Sequence, residues 1–124
     1  MPKNKIIMRK IYHLANCNTC QRIIKELNGG KGFELQNIKE DKITEAQLAF
    51  MAEQVGSYEA LFSRRAMKYK SMGLKEKTLV EADYKRLILE EYTFLKRPVI
   101  ILDEMIFVGN AKKVVQAAVE KLNQ

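Results

Sequence analysis

The two cysteines of this chain, Cys17 and Cys20, stand three residues apart, directly after a run that predicts a β-strand, Arg9 to His13. The residues that follow, Gln21 to Asn28, predict an α-helix that opens at the cysteine loop. Unpaired backbone N–H groups and the positive end of the helix dipole stabilise a thiolate at such a position. Cys20 lies one turn further on, so it can close a disulfide with Cys17 and release whatever Cys17 has bound. The spacing therefore favours a redox pair.

Three other uses of a cysteine pair have to be weighed. A zinc site would need two more soft ligands, and the chain offers only one histidine, His13. The cysteines could instead pack as small apolar groups on a helix. A structural disulfide is disfavoured because a loop this small constrains little of the unfolded chain, and nothing suggests secretion. Redox use is favoured, packing stays open, and we predict no metal site.

The composition is that of a globular protein with one domain. The chain has 124 residues, 47% of them apolar and 30% charged, which is enough for a hydrophobic core. No segment approaches the roughly 20 apolar residues of a membrane span. Residues Met1 to Lys5 have no long apolar stretch behind them, so we predict no signal peptide. We expect a cytoplasmic monomer in which the cysteines are reduced or cycling.

The positive charge is concentrated in one segment, Ser63 to Lys77, and the net charge of the chain is +7. Such a segment favours either an anionic partner or substrate, or simply a solvated basic face. A nucleic-acid surface is disfavoured because no known module is present and aromatic residues are few. The segment has one acidic residue, Glu76, against six basic ones: Arg64, Arg65, Lys68, Lys70, Lys75 and Lys77.

The first third of the chain predicts a βαβ unit. Gly29-Gly30 ends the first helix, and residues 33–38 alternate as a second strand does. Two strands joined by a helix pair in parallel. In the last third, Val99 to Leu102 is an unbroken apolar run typical of a strand covered on both faces. Residues 105–108 predict its antiparallel partner after a turn, and a closing amphipathic helix follows.

The middle third is predicted to be helical. Thr44 to Gln47 has the form of a capping box, and the helix that it opens is stopped by Gly56. A short helix around Tyr58 to Phe62, a basic loop and a helix from about Glu81 to Glu91 follow. The order is βαβ, helical insertion, ββα. We therefore predict an α/β fold with a mixed sheet, forming a single domain over residues 1–124 with a helical insertion over about 43–95.

These features occur in an order that resembles a known family. Pro98 stands at the entrance of a strand, as suits a residue without an N–H. With the cysteine pair, the basic arginine segment, Leu95-Lys96-Arg97-Pro98 and a glycine after the last hairpin, the chain resembles the glutaredoxin-coupled arsenate reductases and their Spx relatives. That family has the thioredoxin fold, and the resemblance covers about residues 8–122.

The resemblance implies roles for individual residues. Cys17 falls on the catalytic cysteine of the reductases, and Cys20 falls on the second cysteine of the Spx redox pair. Arg65, with Arg64 as the substitute, falls on the first active-site arginine. Arg97 with Pro98 resembles the second arginine and its cis-proline, and Tyr12-His13 resembles the tyrosine-histidine of the reductases. The catalytic candidates are Cys17, Cys20, Arg65 and Arg97, and the substrate-binding candidates are His13, Asn18, Thr19, Arg64 and Pro98.

Two departures bear on the substrate. The family usually has arginine directly after the cysteine loop, where this chain has Gln21. The reductases carry a third arginine after the glycine of the last hairpin, where Gly109 is here followed by Asn110. Because an oxyanion needs several fixed donors to bind in water, the fold is better supported than arsenate as the substrate.

The resemblance implies two alternative functions. In the first, the chain is a thiol-disulfide oxidoreductase in which Cys17 attacks an oxyanion or a disulfide and Cys20 resolves the adduct. Glutathione, glutaredoxin or thioredoxin would then regenerate the thiols, and no bound cofactor is implied. In the second, it is a redox-sensing regulator that contacts RNA polymerase, as Spx proteins do.

Overall fold

The computed structural model describes residues 8–124, so the expectation about a signal peptide falls outside the described residues. None of the helices within 8–124 has the length and apolarity that crossing a membrane requires. Apart from α3, which the sequence did not predict, the helices and strands follow the predicted order: β1 Arg9–His13, α1 Asn18–Glu26, β2 Glu34–Asn37, α2 Glu45–Val55, α3 Met67–Ser71, α4 Glu81–Glu90, β3 Val99–Leu102, β4 Met105–Val108 and α5 Lys112–Leu122.

The described residues divide into two compact units. The first comprises residues 8–41 together with Arg97–Gln124 and contains the four strands, α1 and α5. The second, Lys42–Lys96, contains α2, α3 and α4. The predicted helical insertion over about 43–95 lies within the second unit.

The first unit is built on a mixed four-stranded sheet in the order β2-β1-β3-β4. β1 pairs with β2 in parallel and with β3 antiparallel, and β4 pairs antiparallel with β3. Ile11 lies opposite both Leu35 of β2 and Ile100 of β3. The sheet confirms the predicted α/β fold, including the parallel pair that a βαβ connection requires.

The core of the first unit lies between the sheet and the two helices α1 and α5. Alternate side chains of a strand point to the same face of a sheet, so Ile11, Ile100 and Phe107 form one apolar row across β1, β3 and β4. The four residues of β3 are all buried, as its apolar run predicts. The core also contains Ile23, Ile24, Leu27, Leu102, Val115 and Ala118.

The bounds of α1 differ from the prediction. The helix begins at Asn18, three residues before Gln21, because Cys17 takes the N-cap position and its carbonyl accepts the first helical hydrogen bond from Gln21 N at 3.0 Å. The expected glycine stop is also wrong. Asn28 takes the left-handed conformation after the helix, with φ 57°, and the two glycines continue the turn. Asparagine tolerates this conformation better than most residues.

In the second unit the capping box is confirmed. Thr44 Oγ1 accepts a hydrogen bond from Gln47 N at 3.0 Å, and Gln47 Oε1 accepts one from Thr44 N at 3.1 Å. Gly56 ends α2 in the left-handed conformation, with φ 100°. This conformation favours glycine, which explains the predicted stop.

The predicted basic loop is wrong, because Ser63 to Lys77 contains the short helix α3 and a turn of 3₁₀ helix at Leu74–Glu76. Two contacts hold the segment in place. Lys68 of α3 forms an ion pair of 2.8 Å with Glu91, and Leu74 is buried. The hydrophobic pattern of the sequence does not indicate α3, because a single buried leucine among basic residues gives no helical period.

Candidate active site

Cys17 lies between the end of β1 and the start of α1. Its backbone N donates to Leu14 O at 3.1 Å, which turns the chain from the strand into the helix. As the N-cap residue it faces the first amides of α1, which have no partner within the helix. Cys17 is half-buried, and Cys17 and Cys20 are not joined in a disulfide.

The surroundings of Cys17 lower the pKa of its thiol. Burial is the largest single influence and raises the pKa, but it is outweighed by the others together. The Cys20 N–H and thiol and the Thr19 N–H favour the charged form of the Cys17 sulfur and lower its pKa, and the positive charge of Arg97 acts in the same direction. Cys17 therefore ionises at a lower pH than an ordinary thiol.

Cys20 has the opposite character. It is fully buried, and burial, followed by the hydrogen bond and charge of Cys17, raises its pKa to about 11. The Leu14 N–H and the charge of Arg97 oppose this rise. The two thiols therefore differ, because their surroundings lower the pKa of Cys17 and raise that of Cys20.

Arg97 and Pro98 lie at the entrance of β3. The Arg97–Pro98 peptide bond is cis, as the family resemblance implies, and Pro98 O accepts a hydrogen bond from Gly109 N at 2.9 Å. Val99 pairs with Tyr12 of β1, so Pro98 lies at the end of β1 that leads into the cysteine loop. The electrostatic influence of Arg97 on both thiols fits this placement.

His13 is the last residue of β1 and is buried. Its carbonyl accepts a hydrogen bond from Ile38 N at 2.9 Å. Its ring Nδ1 is buried and has no hydrogen-bond partner among the described residues. The backbone of His13 therefore bonds as a strand residue does.

Arg64 and Arg65 belong to the second unit, and the structure gives them different surroundings. Arg64 Nη2 donates to Glu59 Oε2 at 2.9 Å and to Tyr84 Oη at 3.0 Å. The hydrogen bond to Glu59 is the main cause that raises the pKa of Arg64. Arg65 is exposed, and its side chain makes no hydrogen bond or ion pair within residues 8–124. Arg64 therefore serves the fold of this unit, whereas Arg65 is available to a ligand.

The segment that carries these arginines is held by backbone pairing inside the second unit. Phe62 and Leu95 form an isolated antiparallel bridge. Ser63 N donates to Phe94 O at 2.7 Å, and Lys96 N donates to Leu61 O at 2.8 Å. Arg64 and Arg65 directly follow Phe62 and Ser63, so this pairing holds the backbone at the start of the segment that carries them.

Asn18 and Thr19 open α1. Asn18 is exposed, and Thr19 contributes its N–H to the Cys17 sulfur. Sequence reasoning missed the parts played by Leu14 and Asn37, which also contact the loop. Only their positions at the ends of β1 and β2 could have indicated this. Within residues 8–124 no three His, Cys, Asp or Glu side chains come together as metal ligands would.

Comparison with known proteins now identifies the family. The model of the ArsC family matches residues 12–118, so this chain belongs to the ArsC family. A comparison with curated protein sequences finds no match.

Solved structures share the thioredoxin-like fold. An arsenate reductase from Vibrio cholerae is 15% identical, with a TM-score of 0.74 over 93% of this chain and 98% of its own. An arsenate reductase-related protein from Brucella melitensis is 20% identical, with a TM-score of 0.66 over 94% and 97%. A protein from Staphylococcus aureus COL, solved by NMR, is 25% identical, with a TM-score of 0.71 over 89% and 97%.

Proposed function

We propose that this protein is an arsenate reductase-like thiol-disulfide oxidoreductase in which Cys17 is the nucleophile and Cys20 the resolving thiol. The observation that carries the proposal is the asymmetry of the pair. The pKa of Cys17 is lowered at a helix N-terminus. Buried Cys20 stays protonated, and its thiol forms a hydrogen bond to the Cys17 sulfur. Opposite pKa shifts of two neighbouring cysteines are typical of a functional site and are not expected of cysteines that only pack in the core.

With arsenate, the reaction balances as follows. The Cys17 thiolate forms a sulfur–arsenic bond, and an arsenate oxygen leaves as water after taking up protons. Cys20 loses its proton and attacks the Cys17 sulfur, so that the sulfur–arsenic bond breaks and its electron pair stays on arsenic. Arsenic is reduced from As(V) to As(III), and two thiols are oxidised to one disulfide. One arsenate and two thiols thus give one arsenite, one disulfide and one water.

The Cys17–Cys20 disulfide needs an external reductant for a second turnover. Glutathione, glutaredoxin or thioredoxin supplies two thiols, attacks one sulfur of the disulfide through a mixed disulfide and leaves oxidised. The half-buried Cys17 sulfur is the accessible one, since Cys20 is fully buried. We therefore propose that the reductant attacks Cys17.

Arg97 and Arg65 are the arginines that we propose for the oxyanion. Arg97 already acts electrostatically on Cys17, and Arg65 has no partner within the described residues. At the two places where family members carry further arginines, this chain has Gln21 and Asn110. With fewer charged donors we expect arsenate to bind more weakly than in reductases that keep all of them.

The regulator remains a second candidate, and Asn110 is the observation that favours it. Asn110 is exposed and follows Gly109, which has a φ of 90°, so the position that would carry the third arginine offers no charge to an anion. A binding measurement with the C-terminal domain of the RNA polymerase α-subunit separates the two candidates. Saturable binding that depends on the state of the Cys17–Cys20 pair supports the regulator, and no binding leaves the enzyme.

We also propose that the chain forms a single domain over residues 1–124 and acts as a monomer in the cytoplasm, where thiols are kept reduced. Size-exclusion chromatography with light scattering tests the oligomeric state.

The enzyme activity is tested by following arsenite formation with each reductant in turn. We expect turnover with at least one of glutathione, glutathione with glutaredoxin, or thioredoxin with its reductase. Cys17→Ser removes the nucleophile and should abolish turnover, while a matched surface variant, Ser71→Ala, should keep it. Arsenite formation that survives Cys17→Ser would overturn the mechanism.

A further inference from the structure

One peptide unit in the cysteine loop, between Leu14 and Ala15, is held from both sides by side-chain amides. Gln21 Nε2 donates to Leu14 O at 3.3 Å, and Ala15 N donates to Asn37 Oδ1 at 3.3 Å. Gln21 lies in the first turns of α1 and Asn37 is the last residue of β2. Two elements that are distant in sequence thus meet on the same peptide.

The same peptide also bonds the backbone of Cys17. Leu14 O also accepts the hydrogen bond from Cys17 N at 3.1 Å, so this carbonyl has two donors. A change in the orientation of this peptide would therefore move the backbone of Cys17.

We propose that Gln21 and Asn37 are positioning residues, which hold the Leu14–Ala15 peptide in place and so keep Cys17 at the N-cap of α1. The inference rests on the proposed role of Cys17 as nucleophile. It gives a function to Gln21, the position at which this chain departs from the usual arginine of its family. A neutral amide donor holds the loop there without adding a charge.

Each side chain has a distinct requirement. Position 21 needs a donor for Leu14 O, whereas position 37 needs an acceptor for Ala15 N. Gln21→Met keeps the length of the side chain and removes the donor. Asn37→Leu removes the acceptor, while Asn37→Asp keeps it. Gln116→Met on the exposed surface of α5 is the matched control for Gln21→Met.

Two readouts follow the loop without arsenate. The first is the rate of alkylation of Cys17 by iodoacetamide near neutral pH, together with a pH titration of thiolate absorbance. The second is hydrogen exchange of the Ala15 amide. A merely structural loss of stability, followed in parallel by urea unfolding, does not move the titration of Cys17.

We expect Gln21→Met and Asn37→Leu each to slow alkylation of Cys17 by about threefold or more and to move its titration to higher pH. The reason is that the relaxed loop withdraws the Cys17 sulfur from the N–H groups of Thr19 and Cys20. Gln116→Met should leave both unchanged. Protection of the Ala15 amide should be lost in Asn37→Leu and kept in Asn37→Asp.

If Gln21→Met leaves the alkylation rate and the pH titration of Cys17 unchanged, the inference is overturned, even if Asn37→Leu proves too unstable to measure. A slower rate in Gln21→Met, in a protein that does not reduce arsenate, would uphold the inference and overturn the proposed substrate. The two failures are therefore distinguishable.

Discussion

The asymmetry of the cysteine pair predicts that an alkylating reagent discriminates strongly between Cys17 and Cys20. An ordinary cysteine thiol, with a pKa of 9.0, is about one-tenth thiolate at about pH 8. Burial and Cys17 raise the pKa of Cys20 to about 11, so its thiolate fraction at the same pH is about 100-fold smaller. The full burial of Cys20 slows the reagent further, whereas Cys17 is half-buried and has a lowered pKa.

The sequence makes this simple to measure. Trypsin cleaves after Lys10 and Arg22, so both cysteines lie in one peptide whose mass shows one or two added groups. Fragmentation of that peptide locates the group. We expect fast single modification at Cys17 and at least about 100-fold slower modification of Cys20 in the reduced native protein.

Unfolding in urea provides the control, because both thiols then have ordinary surroundings and should react at similar rates. Native protein in which Cys20 is modified as fast as in urea would refute the argument. So would modification of Cys20 before Cys17, since the nucleophile and the resolving thiol would then have been exchanged.

Three further predictions concern stability. The pKa of Cys20 is 9.0 for an ordinary thiol and about 11 in the native protein. The protonated thiol therefore adds to the free energy of unfolding of the reduced protein below pH 9, and this contribution is lost as the pH rises to about 11. It amounts to roughly 3 kcal/mol in urea unfolding, and Cys20→Ala should flatten this pH dependence. Arg64→Ala should lower the free energy of unfolding by about 1 kcal/mol through two lost hydrogen bonds, whereas Arg65→Ala should change it by less than about 0.5 kcal/mol. Ile23→Ala should lower the free energy of unfolding by about 2–5 kcal/mol, and a loss under about 1 kcal/mol would contradict the packing of Ile23 of α1 in the core of the first unit.

Local patterns predicted the elements well where one physical cause dominates. The unbroken apolar run of Val99–Leu102 predicts a buried strand, and all four residues are buried. The capping box at Thr44 and the stop at Gly56 depend on hydrogen bonds and a backbone conformation within a few residues. These elements needed no information from the rest of the chain.

Elements whose limits depend on more distant contacts were predicted less well. The start of α1 is set by the turn from β1 that places Cys17 at the N-cap, so its first three residues looked like loop. The helix α3 is anchored by the ion pair between Lys68 and Glu91, which belong to distant parts of the second unit. A run of charged residues in the sequence does not indicate which ion pairs they form in the folded protein.

In the candidate site too, the sequence predicts local features but not those that depend on distant contacts. The cysteine spacing predicts the redox pair, but the direction of each pKa depends on burial and on N–H donors that only the folded loop supplies. The resemblance put Arg65 ahead of Arg64, and only the folded second unit shows that Arg64 bonds to Glu59 and Tyr84, which agrees with our proposal of Arg65 for the ligand. The contacts of Gln21 and Asn37 with the loop join α1 and β2, and no local pattern predicts them.

The central claim is best tested by a single turnover of fully reduced protein with arsenate and no external reductant. We expect one arsenite for every two thiols lost, with the mass of an internal Cys17–Cys20 disulfide and no change in a parallel sample without arsenate. Unchanged thiols, or thiols lost without arsenite, would contradict it and leave disulfide exchange or polymerase binding as the function of the site.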